Sequence, residues 1–229
     1  MMPRPLIDRL LDTLRGRSVA AAAERTAIAQ ARFVVVDVET SGLDTRRDRL
    51  LSIGAVAVTG ATIRLADRFE VVLRQPVASA HQNILLHGIT GGQQRAGVPV
   101  DEAMRLFSAF AGADPLVAYH ADFDRQFLER AARDALGVDL HGTWIDAAWL
   151  APALLDRVSG YHRPLDDWCA AYGISHMARH NATSDALATA ELLLILLERA
   201  GRKGIQVVRE LRACAEDEQR LARFSPQGR

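Results

Sequence analysis

Residues Phe33–Asp44 read FVVVDVETSGLD. Phe33, Val34, Val35 and Val36 make an unbroken apolar run, which suits a strand buried on both faces of a sheet. Side chains alternate faces along a strand, so residues two apart point the same way. The spacing therefore sets Asp37 and Glu39 side by side at the end of that strand, ahead of a turn at Thr40-Ser41-Gly42. Two like charges held together repel and shift each other's titration. A hard divalent cation such as Mg²⁺, which prefers carboxylate oxygens, would relieve that repulsion. Taken alone, Asp37 and Glu39 fit a solvated strand end equally well.

Two further strands are expected after this one, Leu50–Val58 and Ile63–Leu73, joined by short turns into an antiparallel meander. Gly54 inside the second marks a bulge or a close packing contact. A segment of turn character, His81–Gly97, leads to a helix over Val100–Phe110 with Asp101 and Glu102 in its first turn, where the helix dipole favours acids. Pro115–Tyr119 reads as a short strand. A helix marked by Phe127, Leu128, Ala131 and Ala135 follows and ends near Gly137. Thr143–Ala147 is a fifth strand, followed by helices over Trp149–Leu155 and Pro164–Tyr172, the latter stopped by Gly173. A long helix capped by Thr183 or Ser184 runs through Ala186–Arg199, with Leu187, Ala190, Leu194 and Leu197 as its buried face. Strands and helices in this order describe an α/β protein with a mixed sheet and helices on its faces.

The 229 residues fit one domain with extensions. The expected division is a helical N-terminal extension over 1–31, a central domain over 32–200 and a helical C-terminal extension over 201–229, with 205–224 amphipathic. Within the first, Leu6, Ile7, Leu10, Leu11 and Leu14 follow helical spacing. At 49% hydrophobic and 24% charged the chain can build a sizeable core and does not read as disordered. Lys plus Arg equals Asp plus Glu at 28 each, so bulk charge argues neither for nor against a nucleic-acid partner; a protein that wraps long duplex is usually basic, so any nucleic acid here is expected to be gripped over a short length. Cys169 and Cys214 lie far apart with no metal-ligand spacing and suit reduced thiols in a cytoplasmic protein. Arg4, Asp8 and Arg9 spoil a signal-peptide core, and the longest apolar run, Leu192–Leu197, is too short to span a bilayer. No membrane association is expected.

Two more acids share the setting of the first pair. Asp124 follows a short strand and opens a helix; Asp185 opens another helix, five residues after His180 in HNATSD. Four carboxylates meeting at one spot would need a cation between them, and paired divalent ions about 3.5–4 Å apart are the usual arrangement for phosphoryl hydrolysis. The pieces DVETSGLD, HGIT at 87–90, HADFD at 120–124 and HNATSD at 180–185 together resemble the motifs of the DEDD-family 3′–5′ exonucleases. His180 places the chain in the DEDDh branch, which includes the proofreading exonuclease (epsilon) subunit of bacterial DNA polymerase III. The resemblance covers roughly residues 32–200.

That resemblance implies a ribonuclease-H-like fold, with the meander and two parallel strands forming a five-stranded sheet. It also implies release of nucleoside monophosphates from the 3′ end of single-stranded or frayed DNA. Asp37, Glu39, Asp124 and Asp185 would hold two divalent cations, Mg²⁺ or Mn²⁺, and His180 would be the general base. An imidazole titrates near neutrality, which suits that role. Thr40, Ser41, Gly42 and Leu43 would lie along the terminal nucleotide, with Leu43 as a wedge and backbone NH groups of the turn on the 3′ hydroxyl. His87 and Phe123 would complete the substrate contacts. The chain departs from the family where Ala121 follows His120 in place of Asn, and where Gln82 replaces an acid five residues before His87.

Other readings compete at particular residues. Asp146 reads as a helix cap, and His81, His141, His162 and His176 as ordinary surface or core histidines. Asp44, Arg46, Arg47, Asp48 and Arg49 form a mixed charge run that reads as a solvated loop, though its place beside the turn allows an arginine–phosphate contact. RNA ends are an alternative substrate, since no residue announces a contact to a 2′ hydroxyl. A polymerase-associated binding subunit with vestigial nuclease activity is a third reading. Docking on a DNA polymerase or self-association would use the terminal extensions.

Overall fold

The computed structural model describes residues 20–155, 163–175 and 181–224. The expected meander is present: β1 (Arg32–Thr40) pairs antiparallel with β2 (Leu50–Thr59), and β2 with β3 (Thr62–Val72). The β2–β3 turn is tight, with φ +57° at Gly60 and 57° at Ala61. Positive φ at both central residues is the conformation whose twist matches that of the flanking strands. β4 (Leu116–Ala118) and β5 (Trp144–Asp146) continue the sheet in parallel on the other side of β1, giving the order β3-β2-β1-β4-β5.

Segment 81–97, expected as turns, instead holds two short helices, α1 (His81–His87) and α2 (Gly91–Ala96). Gly88 closes α1 at φ 72°, a left-handed conformation that glycine adopts without strain. Thr90 opens α2 with a reciprocal cap: its hydroxyl accepts from Gln93 N at 3.3 Å, while Gln93 Oε1 accepts from Thr90 N at 2.8 Å. That Thr-x-x-Gln spacing was the available signal, and the paired glycines Gly91 and Gly92 obscured it.

The remaining helices are α3 (Val100–Ala111), α4 (Ala121–Leu136), α5 (Ala147–Leu154), α6 (Leu165–Tyr172), α7 (Ala182–Arg202) and α8 (Val208–Phe224). Two expectations about them are corrected. The cap of α7 is Asn181, whose side chain accepts from Ser184 N at 3.0 Å; Thr183 and Ser184 lie inside the helix. The buried arc of α7 also differs from the expected one. Leu187 and Leu194 are only half-buried, whereas Ala186, Thr189, Ala190, Leu193, Leu196 and Leu197 are buried. The helix lies between the sheet and α5, so its apolar arc is wider than a single stripe. The C-terminal helix begins at Val208, three residues later than expected.

Alternation along β1 divides the core in two. Phe33 and Val35 face the layer that contains α5, α7 and α8. Val34, Val36 and Val38 face α3 and α4. Asp37 and Glu39 continue the first series and so emerge on the α7 side. The N-terminal stretch is stitched to the segment before α8 by Ile28 N to Gln206 O at 2.8 Å and Val208 N to Thr26 O at 3.1 Å. Val208, Leu211 and Ala215 of α8 are buried in the first core layer. The described part of the chain has no helix long and apolar enough to cross a membrane. The amphipathic spacing over residues 6–14 and the tail 225–229 lie outside the described residues.

Candidate nuclease site

Gly54 is the packing feature that assembles the site. It pairs with Asp37 in the β1–β2 register. A Cβ on Gly54 would stand 2.2 Å from Thr183 N and 2.3 Å from the Ala182 carbonyl carbon. With only hydrogen there, the first turn of α7 settles onto β2 at the level of Asp37. The sequence expectation of a close contact at Gly54 holds, and the element it receives is α7.

Asp185 lies one turn into α7, its NH bonded to Asn181 O at 2.9 Å. Carboxylate oxygens of Asp37, Glu39 and Asp185 consequently lie within 4.8 Å of one another. Asp37 and Glu39 are half-buried and Asp185 is buried. The positive end of the α7 dipole favours an acid in that first turn.

Asp124 arrives from the other layer. α4 begins directly after β4, and Asp124 in its first turn accepts from Val38 N at 3.1 Å, between the two β1 acids in sequence. Its side chain is buried with a relative exposure of 3%. Burial pushes its carboxyl well above the ordinary carboxylate range, and the charges of Asp146 and Glu39 push the same way against the Val38 NH. The three clustered acids offer oxygen donors of the kind a hard cation accepts, and Asp124 stands close by on the other side of β1. His180 lies outside the described residues, immediately before Asn181.

The turn expected to cradle the terminal nucleotide is a rigid loop. Ser41 N donates to Arg49 O at 2.9 Å, and Ser41 Oγ to Asp48 Oδ1 at 3.0 Å. Thr40 Oγ1 donates to the Gly42 carbonyl at 2.7 Å. A Cβ at Gly42 would stand 2.4 Å from Asp48 Oδ2, so a larger residue there would push the Asp48 carboxylate off its loop partners. The Ser41 NH, expected as a donor to a 3′ hydroxyl, is thus committed to Arg49. Leu43 projects from the loop at 85% exposure. Phe123 is half-buried, its ring 5.0 Å from that of Phe127.

His87 is buried within a polar lattice. Its Nδ1 accepts from Ile89 N at 3.0 Å, which leaves the proton on Nε2, 3.3 Å from Ser79 Oγ. Ser79 Oγ accepts from Gln94 Nε2 at 2.9 Å, and Gln94 Oε1 accepts from Ser79 N at 2.8 Å. Burial lowers the His87 pKa, which favours the neutral ring. His87 also lines a cleft of about 400 Å³ shared with Glu39, Ser52, Leu85, Leu86 and Asn181.

Asp146 does more than its expected role as a cap. Its Oδ1 accepts from Ala148 N at 2.9 Å, capping α5, and from His120 N at 3.1 Å. His120 sits at φ 64° just before α4. One carboxylate thereby ties the end of β5 to the start of the helix that carries Asp124. Burial raises its pKa to about 6. An acid that ends a strand and precedes a helix announces the cap; the bond to His120 has no local sequence signal.

A parallel strand pair flanking a meander, with acids converging at the end of β1, places the chain in the α/β class with a site suited to phosphodiester chemistry. The chain belongs to the exonuclease family: the family model described as Exonuclease (RNase_T) matches residues 34–193. It is 30% identical to the DNA polymerase III PolC-type protein of Caldanaerobacter subterraneus over 82% of this chain and 13% of that protein. It is also 30% identical to a DNA polymerase III subunit epsilon-like protein of Rhodobacter capsulatus, over 84% of this chain and 27% of that one. The chain therefore spans a minor part of either relative. Among solved structures, exonuclease X in complex with 5′ overhanging duplex DNA superposes with a TM-score of 0.63 at 20% identity, covering 80% of this chain and 99% of that chain. The five-stranded mixed sheet flanked by helices is the ribonuclease-H-like fold of these exonucleases.

Proposed function

We propose that this chain is a divalent-metal-dependent 3′–5′ exonuclease that acts on single-stranded or frayed DNA ends and releases nucleoside monophosphates. The observation that carries the reading is the meeting of Asp37, Glu39 and Asp185 within 4.8 Å, with Asp124 bonded to the intervening Val38. Mg²⁺ or Mn²⁺ would be held by these four acids, where it would supply an activated water and neutralise charge on the reacting phosphate. His180, one residue ahead of the α7 cap, would take the proton from the attacking water.

Exposed apolar groups lie on the segments beside the acids. Leu43, Val77, Leu85 and Leu86 are among the large exposed hydrophobics, and Leu85 and Leu86 line the Glu39 cleft. Asn83 Nδ2 donates to Ser41 O, and Arg49 Nη1 to Val77 O at 2.6 Å, so these groups form one rim. Unstacked bases have faces to lay on such a rim, whereas paired bases do not. DNA is favoured over RNA because the PolC-type and epsilon-like relatives carry DNA polymerase names. Those names also favour work alongside a DNA polymerase.

The test is a 5′-labelled oligonucleotide assay, with DNA beside RNA and with and without chelator. The expected result is a ladder shortening from the 3′ end, faster on DNA and abolished by chelator. Products that begin at the 5′ end, or hydrolysis indifferent to chelator, would overturn the proposal.

A further inference from the structure

The acid cluster faces a polyanion, and the family match does not say what holds the strand beyond the reacting end. The loop 41–49 supplies an answer. Both of its acids are engaged by the loop itself: Asp48 accepts from Ser41 Oγ at 3.0 Å and from Asp44 N at 2.9 Å, and the exposed Asp44 accepts from Arg46 N at 2.9 Å. Its outer attachments are equally firm, through Thr45 Oγ1 to Gln126 Oε1 at 2.9 Å and Arg130 to the Asp48 carbonyl.

The arginines nearby divide into two kinds. Arg49 is spent on Val77 O, Arg130 on Asp48 O and Arg125 on Asp122 at 2.8 Å. Arg46 and Arg47 tie the loop to no other element. The Arg46 guanidinium makes no hydrogen bond or ion pair among the described residues, and Arg47 has only a 3.8 Å approach to Asp44 with its side chain 89% exposed. A hydrogen-bonded loop that occupies its acids with its own groups and presents two adjacent, solvent-exposed guanidinium groups, one of them only loosely paired, is laid out for an external anion. Leu43 stands between these arginines and Glu39 in sequence, on the same loop.

We propose that Arg46 and Arg47 are a two-point grip on the phosphodiester backbone upstream of the 3′-terminal nucleotide, fixing a single strand several nucleotides long. The proposal rests on the exonuclease reading for the position of the 3′ end. Guanidinium groups bind phosphate in a forked geometry and lose less on desolvation than ammonium groups. Contacts of this kind position the strand and carry no sequence information. The grip acts on substrates long enough to reach it and not on those with one phosphate.

The test uses Arg46→Ala/Arg47→Ala in two arms. In the binding arm, a fluorescein-labelled DNA 10-mer is titrated by anisotropy with Ca²⁺ present. The double variant is expected to bind about tenfold more weakly in low salt, and its dependence of log Kd on log salt to be shallower by about 1.4, since each phosphate contact on a single strand contributes ~0.7. In the kinetic arm, KM for the 10-mer rises about tenfold with kcat within twofold, while a nitrophenyl ester of a nucleoside 5′-monophosphate is hydrolysed as by the parent. An unchanged Kd and an unchanged salt slope overturn the grip even where the parent is an active exonuclease. Weakened binding by the variant, with a parent that cleaves nothing, upholds the grip and removes the exonuclease reading instead. Both substitutions are at exposed positions, so an unchanged thermal midpoint confirms that folding is not being read.

Discussion

Asp37 and Asp124 flank Val38 from opposite layers of the core and are held in opposite ways. Asp37 owes its place to side-chain alternation on β1 and to the missing Cβ of Gly54, which lets α7 bring Asp185 alongside. It stays half-buried and open to a cation. Asp124 owes its place to backbone hydrogen bonds: Val38 N on its own carboxylate, and Asp146 holding His120 N at the head of α4. It is buried, and burial raises its pKa well above the usual range. The first arrangement is set by packing and the second by polar ties, so substitutions should separate them.

The largest expected effect is on the packed side. Asp37→Ala removes an oxygen donor from the three-acid group and should lower exonuclease activity by at least about a thousandfold, ~4 kcal/mol of barrier, with the thermal midpoint unchanged or raised. A rise is expected because one of three clustered like charges is gone. His180→Ala should cost a comparable amount if the imidazole takes the proton. Activity within tenfold of the parent in either variant would remove that residue from the site.

Gly54→Val sharpens the packing argument without touching an acid. The added atoms meet Thr183 N and the Ala182 carbonyl, both backbone, so the N-terminus of α7 must lift. Overpacking of this kind costs about 1–3 kcal/mol. Activity should fall further than that loss of stability explains, because Asp185 moves with the helix. Hydrolysis at the parental rate by the folded variant would show that α7 does not set the carboxylate spacing.

How much of this was legible in the chain follows the same division. The paired acids on β1, the antiparallel meander and the close approach at Gly54 could be read because each follows from local periodicity or a single residue type. The capping box at Thr90 and Gln93 was equally local but was hidden by the two glycines after it. The bond from Asp146 to His120 joins residues 26 positions apart and leaves no periodic trace. The buried arc of α7 was misplaced because its width depends on α5 packing against it, which no window on α7 alone contains. The lattice around His87 joins Ser79, ahead of α1, to Gln94, inside α2, a pairing across two short helices that no local pattern announces.

On the polar side, Asp146→Ala should destabilise by about 1–2 kcal/mol through loss of the α5 cap and the His120 tie. Asp146→Asn keeps an accepting oxygen and separates charge from geometry. The folded pKa of Asp146, about 6, lies above the ordinary 3.8, so the folded state holds the proton more tightly. Its ionisation therefore opposes folding: this contribution to stability falls as pH rises from about 4 to about 6, by at most ~3 kcal/mol, and is level above that. Melting curves of parent and Asp146→Asn should diverge across that window, with the variant the flatter. Parallel curves would show that Asp146 is hydrated as in the unfolded chain.

The smallest effect concerns His87 and has the opposite sign with pH. Its folded pKa lies below the ordinary 6.5, because burial disfavours the charged ring. The folded state therefore binds fewer protons than the unfolded chain, and this contribution to stability is full above pH 6.5 and is lost as pH falls through the unfolded value toward the folded one. Ser79→Ala removes the acceptor facing His87 Nε2 and the acceptor of Gln94 Nε2. Gln94 keeps its bond to the Ile89 carbonyl at 2.9 Å, so the expected cost is about 1 kcal/mol at pH 7.5. If the lattice also positions the Glu39 cleft, KM for an oligonucleotide should rise a few-fold with kcat unchanged, because Leu85, Leu86 and His87 line that cleft without belonging to the acid group, of which only Glu39 reaches it. A fall in kcat with KM constant would instead place His87 in the reaction itself, and the distinction between a packed catalytic side and a polar supporting side would have to be redrawn around it.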